Sequence, residues 1–393
     1  MHVEFREDDT MKITGIDTYL VQMGSRNLCF VKVQTDEGIH GVGEAYSVGP
    51  DKSTAETIDY FEDWLVGMDP MDIEGIWQKL YIGSRFPGGS VVNSAISGID
   101  HALWDIKGKA LDTPVYQLLG GKCRERIQVY QNPGGATPEE TADGALRLRD
   151  EYGFTAIKTN PLPRDMHDLT WPQVLRRVEQ KMTILRDALG DEMEIGLDPH
   201  AKILEPSKAV ELCEVVAPFR PMFVEEPLRP ENVEAMASVR AKSPVPIATG
   251  EMLYTKWEFR DLLRVEGVDI IQPDICCCGG VTEMKKIAAL AEAEYVTVAP
   301  HNPMGPLATA VNAQFAATAP TFLILEYHLD TESPRKDLIQ EPYEMVDGYL
   351  QLPDRPGFGI ELNEEYYADH PYKPWHRGFS SKPDGSMARS EEH

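Results

Sequence analysis

Six acidic or histidine residues recur through the middle of the chain at nearly one period, each closing an apolar run. They are Asp198 in EIGLDPH, Glu225 in PMFVEEP, Glu251 in PIATGEM, Asp274 in DIIQPD, His301 in TVAPH and Glu326 in FLILEY. The spacings are 27, 26, 23, 27 and 25 residues. That suits one strand, one helix and two short loops. A repeated strand–helix unit returns each strand parallel to the last, and eight such units close into a barrel. Side chains at the C-terminal strand ends then converge on one mouth. The expected fold class is therefore α/β, a TIM-type (modified β/α) barrel.

The 393 residues exceed the roughly 250 that a barrel uses, so a second domain is expected. Phe30–Ala45 reads as two strands around the turn Asp36-Glu37-Gly38. TAETIDYFEDWLVG and VVNSAISGIDHALWDIKGKALD carry helical periodicity. Strands followed by helices are not the barrel repeat, which predicts an N-terminal α+β capping domain over residues 11–121. The barrel is expected over 122–329. Its first strand begins near Ile127, and its second, FTAIKTN, ends at Lys158 and Asn160. Asp198, Glu225, Glu251, Asp274, His301 and Glu326 then end strands three to eight. Residues 330–363 have strand and turn character and are expected to return to the capping domain. Residues 364–393 are expected to form a C-terminal tail, ending in the polar SSKPDGSMARSEEH.

Composition narrows the partners. The net charge is −26, from 38 basic and 64 acidic residues. Such a balance repels nucleic acid and anionic membranes, and it requires local positive charge to hold an anionic substrate. No apolar stretch reaches the roughly 18 residues of a membrane span, and the polar MHVEFREDDT does not resemble a signal peptide. A soluble cytoplasmic protein is expected. The six cysteines, including the run Cys276-Cys277-Cys278, show no C-x-x-C pair, so reduced packing thiols are expected.

Asp198, Glu225 and Glu251 offer hard oxygen ligands without thiolate, a set that selects Mg2+ or Mn2+ over zinc. Three close carboxylates repel one another unless a cation compensates them. Asp274 and His301 follow on the next two strands. A carboxylate on one imidazole nitrogen fixes the tautomer and raises basicity at the other. The set describes a metal-dependent enzyme with a paired general base, acting on a carbon acid. His200, two residues after Asp198, is expected on the same side of an extended chain, as a second acid or base.

These residues, with ALWDIKGKALDTPVYQLLGG, GGVTE and PHNPMGP, resemble the enolase superfamily in its mandelate racemase-like subgroup, from Met11 to about Asn363. The resemblance implies Mg2+ as cofactor and abstraction of the proton α to a carboxylate. Racemase-like members carry Lys-x-Lys on the second strand, whereas this chain has Lys158-Thr159-Asn160. With His200, the Asp274–His301 pair and Glu326, that Asn is most similar to sugar-acid dehydratases of the galactonate dehydratase type. The implied reaction is dehydration of an aldonate to a 2-keto-3-deoxy acid. His301 would be the base, Asp274 its orienting partner, His200 the acid for the leaving hydroxyl, and Glu326, if protonated, a donor to the enediolate. Lys158 and Asn160 would contact substrate. Loops at Met23–Asn27, Tyr46–Pro50 and Asn132–Ala136 are expected to read the sugar, through groups such as Ser25, Arg26, Asn27 and Tyr46. A racemase, epimerase or cycloisomerase on the same scaffold is the alternative, and a catalytically silent binding or structural member is another. Expected partners are a small sugar acid and further copies of the chain, as a dimer to octamer.

Overall fold

The computed structural model describes residues 10–47, 49–375 and 381–387. The amino-terminal residues 1–9 of the signal-peptide reading, part of the expected tail (376–380 and 388–393) and Val48 of the second specificity loop lie outside the described residues.

The capping domain opens with an antiparallel sheet in the order β1 (Ile13–Met23), β2 (Arg26–Thr35), β3 (His40–Ala45). Strand β1 was not anticipated. Its exposure alternates poorly, with a half-buried run from Asp17 to Leu20, so the period-two signal is blurred. Three helices follow: α1 (Asp51–Leu65), α2 (Ile73–Gly83) and α3 (Ser90–Ala110). Helix α3 buries Ile96, Ile99, Leu103 and Ile106, at spacings of three and four, against the sheet. The glycines of β3 permit that approach. A Cβ on Gly41 would lie 1.9 Å from the Ala102 carbonyl oxygen, and one on Gly43 would lie 2.0 Å from that of Gly98.

After a short α4 (Val115–Leu118) the chain alternates strand and helix. The order is β4 (Arg126–Tyr130), α5 (Pro138–Tyr152), β5 (Ala156–Thr159), α6 (Trp171–Leu189), β6 (Glu194–Leu197) and α7 (Pro206–Val216). It continues with β7 (Phe223–Glu225), α8 (Val233–Arg240), β8 (Ile247–Thr249), α9 (Thr255–Arg264), β9 (Ile270–Ile271), α10 (Gly280–Ala293), β10 (Thr297–Val298), α11 (Pro306–Thr318) and β11 (Leu325–Glu326). Local chemistry sets the boundaries. Helix α5 starts at a capping box of Thr137 and Glu140, and it stops at left-handed Gly153.

Strands β5 to β10 form one parallel ladder, and β11 pairs in parallel with β4. Single bridges, Gln131–Ile157 and Val298–Phe322, join these two groups, so the ladder has two seams and is not continuously closed. Inside lie Tyr130, Ala156, Phe223, Ala248, Ile270, Ala299 and Ile324, the packed side-chain filling of a barrel.

The C-terminal segment adds β12 (Ile339–Gln340), a hairpin of β13 (Met345–Val346) and β14 (Tyr349–Gln351), β15 (Glu361–Leu362) and α12 (Glu364–Asp369). Strand β14 pairs antiparallel with β4, so this segment first covers the barrel. It meets α3 only later, where Phe358 N donates to Asp105 Oδ1 (2.8 Å) and Lys109 pairs with Glu361 (2.7 Å). The tail expected from residue 364 also needs correction. Tyr367 stacks on Phe30 with ring centroids 5.1 Å apart, and Lys373 N donates to Asn27 Oδ1 (3.0 Å). A buried aromatic ring therefore holds residues 364–375 on the cap.

Candidate active site

The C-terminal ends of strands β5 to β11, or the loops that follow them, carry the expected side chains. Glu225 and Glu326 are the last residues of β7 and β11, Asp198 follows β6 by one residue, and Glu251 follows β8 by two. Asp274 and His301 follow β9 and β10 by three and bridge each other in parallel. One oxygen each from Asp198, Glu225 and Glu251 lie mutually within 4.8 Å.

Lys158, near the end of β5, stands among these acids. Its Nζ lies 2.9 Å from Glu225 Oε1, 3.1 Å from Asp198 Oδ2 and 3.3 Å from Glu326 Oε1. Burial favours the neutral amine, but Glu225, Glu326 and Asp198 outweigh it and hold the ammonium. One cation does not balance the group. Burial and then the Asp198 charge push Glu225 up to about 8. Asp198 Oδ2 is buried without a hydrogen bond of good geometry, despite its 3.1 Å approach to Lys158. A hard oxygen donor set, excess negative charge and an orphaned carboxylate oxygen fit a divalent cation such as Mg2+.

His301 Nδ1 lies 2.8 Å from Asp274 Oδ2, and Cys276 N donates to Asp274 Oδ1 (2.7 Å). The Asp274 carboxylate is thus fixed on both oxygens. His301 Nε2 faces Glu251 Oε2 at 3.4 Å. Burial lowers the imidazolium pKa, but Glu251, the bond to Asp274 and Glu326 push it up to about 10.

His200 reaches the site by another route than expected. Its φ of 52° places it in a turn, so strand alternation does not apply. The turn folds the ring back on Asp198, with Nε2 3.1 Å from Oδ2 and Nδ1 3.0 Å from the backbone oxygen. Asn160 uses its Oδ1 to accept from Leu162 N (2.9 Å), a local turn bond. Glu326 was expected to donate only if protonated. Here burial raises its pKa, but Lys158 and then His301 lower it further, and the carboxyl is held ionised. Its Oε2 accepts from Asn302 N (3.0 Å). Among the specificity candidates, Asn27 is fully buried and bonds Asp51 and Lys373 inside the cap, which removes it from a substrate-facing role. Arg26 donates to the Pro303 carbonyl, beside the His301 loop.

Sequence reasoning missed four polar residues. Gln272 Nε2 donates to Glu225 Oε2 (2.7 Å); as the one amide in DIIQPD it was findable. Glu226 is buried, takes a φ of 43° and accepts from Thr249 Oγ1 (2.9 Å), a turn no periodicity reveals. Glu44 crosses from β3 to accept from Gly305 N (2.6 Å) and Ala308 N (2.9 Å), fixing the start of α11 after the His301 loop. His328 stands beyond Glu326. Cys276, Cys277 and Cys278 are buried, and burial pushes their thiols well up, which makes them packing groups.

Residues 2–120 match the family described as mandelate racemase / muconate lactonizing enzyme, N-terminal domain, and residues 140–366 match enolase C-terminal domain-like. A D-galactonate dehydratase of Pectobacterium atrosepticum is 37% identical, covering 96% of this chain and all of that protein. A D-galactonate dehydratase of Variovorax paradoxus is also 37% identical with the same coverage. The crystal structure of an Agrobacterium radiobacter enolase, provisionally assigned as a galactarate dehydratase and holding sodium and L-malate, superposes with a TM-score of 0.92. It is 42% identical, covering 96% of this chain and 99% of that one.

Proposed function

The chain belongs to the mandelate racemase / muconate lactonizing enzyme family of the enolase superfamily, and from that premise we propose that it is a Mg2+-dependent sugar-acid dehydratase. The reading follows the full-length similarity to two D-galactonate dehydratases. The observation that carries it is the His301–Asp274 pair set beside the carboxylate triad, with His200 across from it. Strands β6 and β10 are third and seventh of eight, so their ends face each other across the mouth.

Asp198, Glu225 and Glu251 would hold the cation. When bound, it supplies positive charge to a substrate carboxylate and to the enediolate that develops from it. Lys158 adds charge on the same side. Asp274 fixes the His301 tautomer; with the Glu251 charge taken up by the cation, the pull that raises the ring is relieved and Nε2 would be left free to take the α-proton. His200 Nε2 gives a proton to the departing β-hydroxyl from the opposite side, and a 2-keto-3-deoxy acid results. Glu326 accepts from Asn302 N and orients Lys158. Asn160, where a racemase-like member keeps a second lysine, leaves no lysine base on that strand end. Dehydration needs only one base, whereas racemisation needs one on each face. The reading includes a cytoplasmic location and a homo-oligomer, which sedimentation would measure.

The test is purified protein with Mg2+ against a library of aldonates and aldarates, scored for 2-keto product. Keto acid from at least one, lost in excess chelator, is expected. Epimerised substrate without keto acid would sink the reading in favour of a racemase or epimerase.

A further inference from the structure

We propose that the site has a second anion-recognition end, built from Arg26 and His328, which extends its substrates to sugar acids bearing a carboxylate at both ends. The inference rests on the dehydratase reading above. Arg26 opens β2 at the turn of the cap hairpin and donates to the carbonyl of Pro303, two residues past His301. It is half-buried, and loss of water, then Arg335, lowers its pKa. Among the described residues no carboxylate forms an ion pair with it. Arg335, its cationic neighbour, is matched: its Nε lies 2.5 Å from Asp330 Oδ1. The nearest acids are committed elsewhere, Glu44 to Gly305 N and Ala308 N and Glu326 to Asn302 N and Lys158. A guanidinium withdrawn from water without a counter-charge is costly, and its forked donors suit a carboxylate.

His328 supplies the second contact. Tyr327, between it and Glu326, packs into the hydrophobic core, so alternation turns His328 to the side of Glu326. Its Nε2 is enclosed, has no hydrogen-bond partner and stands 4.0 Å from Glu326 Oε1. Burial, then Arg335, holds the ring neutral at physiological pH, down to about 3, so it can give one hydrogen bond without a charge. The cap thus provides the cation and the end of the eighth strand a neutral donor. In a chain of net charge −26, such a local focus is what a doubly anionic substrate requires.

Galactarate and galactonate differ only in the oxidation state of C6, and they isolate the claim. Both are titrated into the Mg2+-loaded enzyme by calorimetry and assayed for turnover, in the native protein, Arg26→Gln, Arg26→Lys and His328→Leu. The native enzyme is expected to bind and dehydrate galactarate at least as well as galactonate. Arg26→Gln should lower kcat/KM for galactarate about 10–100-fold more than for galactonate, through KM, because uniform binding is lost. Arg26→Lys should recover part of that difference, and His328→Leu should show a smaller one. Equal losses for both acids, or a native enzyme that neither binds nor converts galactarate, would overturn the proposal. Circular dichroism identifies the folded variants, and Arg26→Lys carries the test if the Gln variant does not fold. If no acid yields a keto product, the dehydratase reading fails, while calorimetry with the two acids still decides this one.

Discussion

At Glu225 each carboxylate oxygen already has a donor, Lys158 on Oε1 at 2.9 Å and Gln272 on Oε2 at 2.7 Å. Such outer contacts aim a ligand at its cation, and their loss typically costs about 10–100-fold in metal affinity. Gln272→Leu is therefore expected to weaken Mg2+ binding by that factor, read by calorimetry, with the fold retained. Unchanged affinity would remove Gln272 from this role. The two histidines should separate by assay. His301→Asn is expected to abolish deuterium exchange at C2 in D2O. His200→Asn should slow turnover about 10²–10⁴-fold, the usual share of a general acid, while sparing exchange more. Exchange at the native rate in His301→Asn would hand the base to another residue. The types at these positions were legible because strand-end acids at one period leave few other readings. The route of His200 was not, since a turn at φ 52° defeats alternation. Nor was the ionised state of Glu326, which depends on Lys158 and His301 meeting it in space.

Helix α3 is the element that couples cap to site. His101 Nε2 lies 3.1 Å from the Ile275 carbonyl, Gly279 N donates to Ser97 Oγ (3.0 Å), and Thr282 N donates to Asp100 Oδ2 (3.0 Å). The first two bonds grip the loop between Asp274 and α10, and the third grips the first turn of α10. A Cβ on Gly280, at φ 78°, would lie 2.4 Å from Asp100 Oδ2. Gly280→Ala is thus expected to lower Tm by several degrees and to cut activity by displacing Asp274. Intact activity at the native Tm would show that the contact yields freely. Asp100 also predicts a pH dependence. Burial outweighs the bonds from Thr282 and raises its carboxyl to about 7 from an ordinary 3.8. The folded state then holds the proton more tightly, so this group's contribution is full below about pH 4 and declines toward pH 7, by about 1.4 kcal/mol per unit at most. Asp100→Asn should gain stability relative to the native chain across that window, by denaturant melts at each pH. A constant difference would refute it. The helical registers of α1 and α3 could be read from periodicity, whereas β1, with its half-buried middle, could not.

For the molecule as a whole, a cation held only by the folded triad should stabilise it by about 2.7 kcal/mol at one hundred times its Kd. Mg2+ is expected to raise Tm, chelator to reverse the rise, and Asp198→Asn to abolish it; a Tm indifferent to Mg2+ would count against the site. No described helix is long and apolar enough to cross a membrane. The sequence by itself determined the α/β class, the repeat and the identity of the acids, because each follows from short-range rules. Helix and strand periods are local, and a strand end in a repeating unit has one place to point. Tertiary structure alone decided the rest. The seams at Gln131–Ile157 and Val298–Phe322, the crossing of Glu44 to α11, the folding of residues 364–375 onto the cap and the meeting of Arg26 with the His301 loop all join residues remote in the chain. Such contacts are chosen by burial and hydrogen-bond satisfaction over the whole core, which no local pattern encodes.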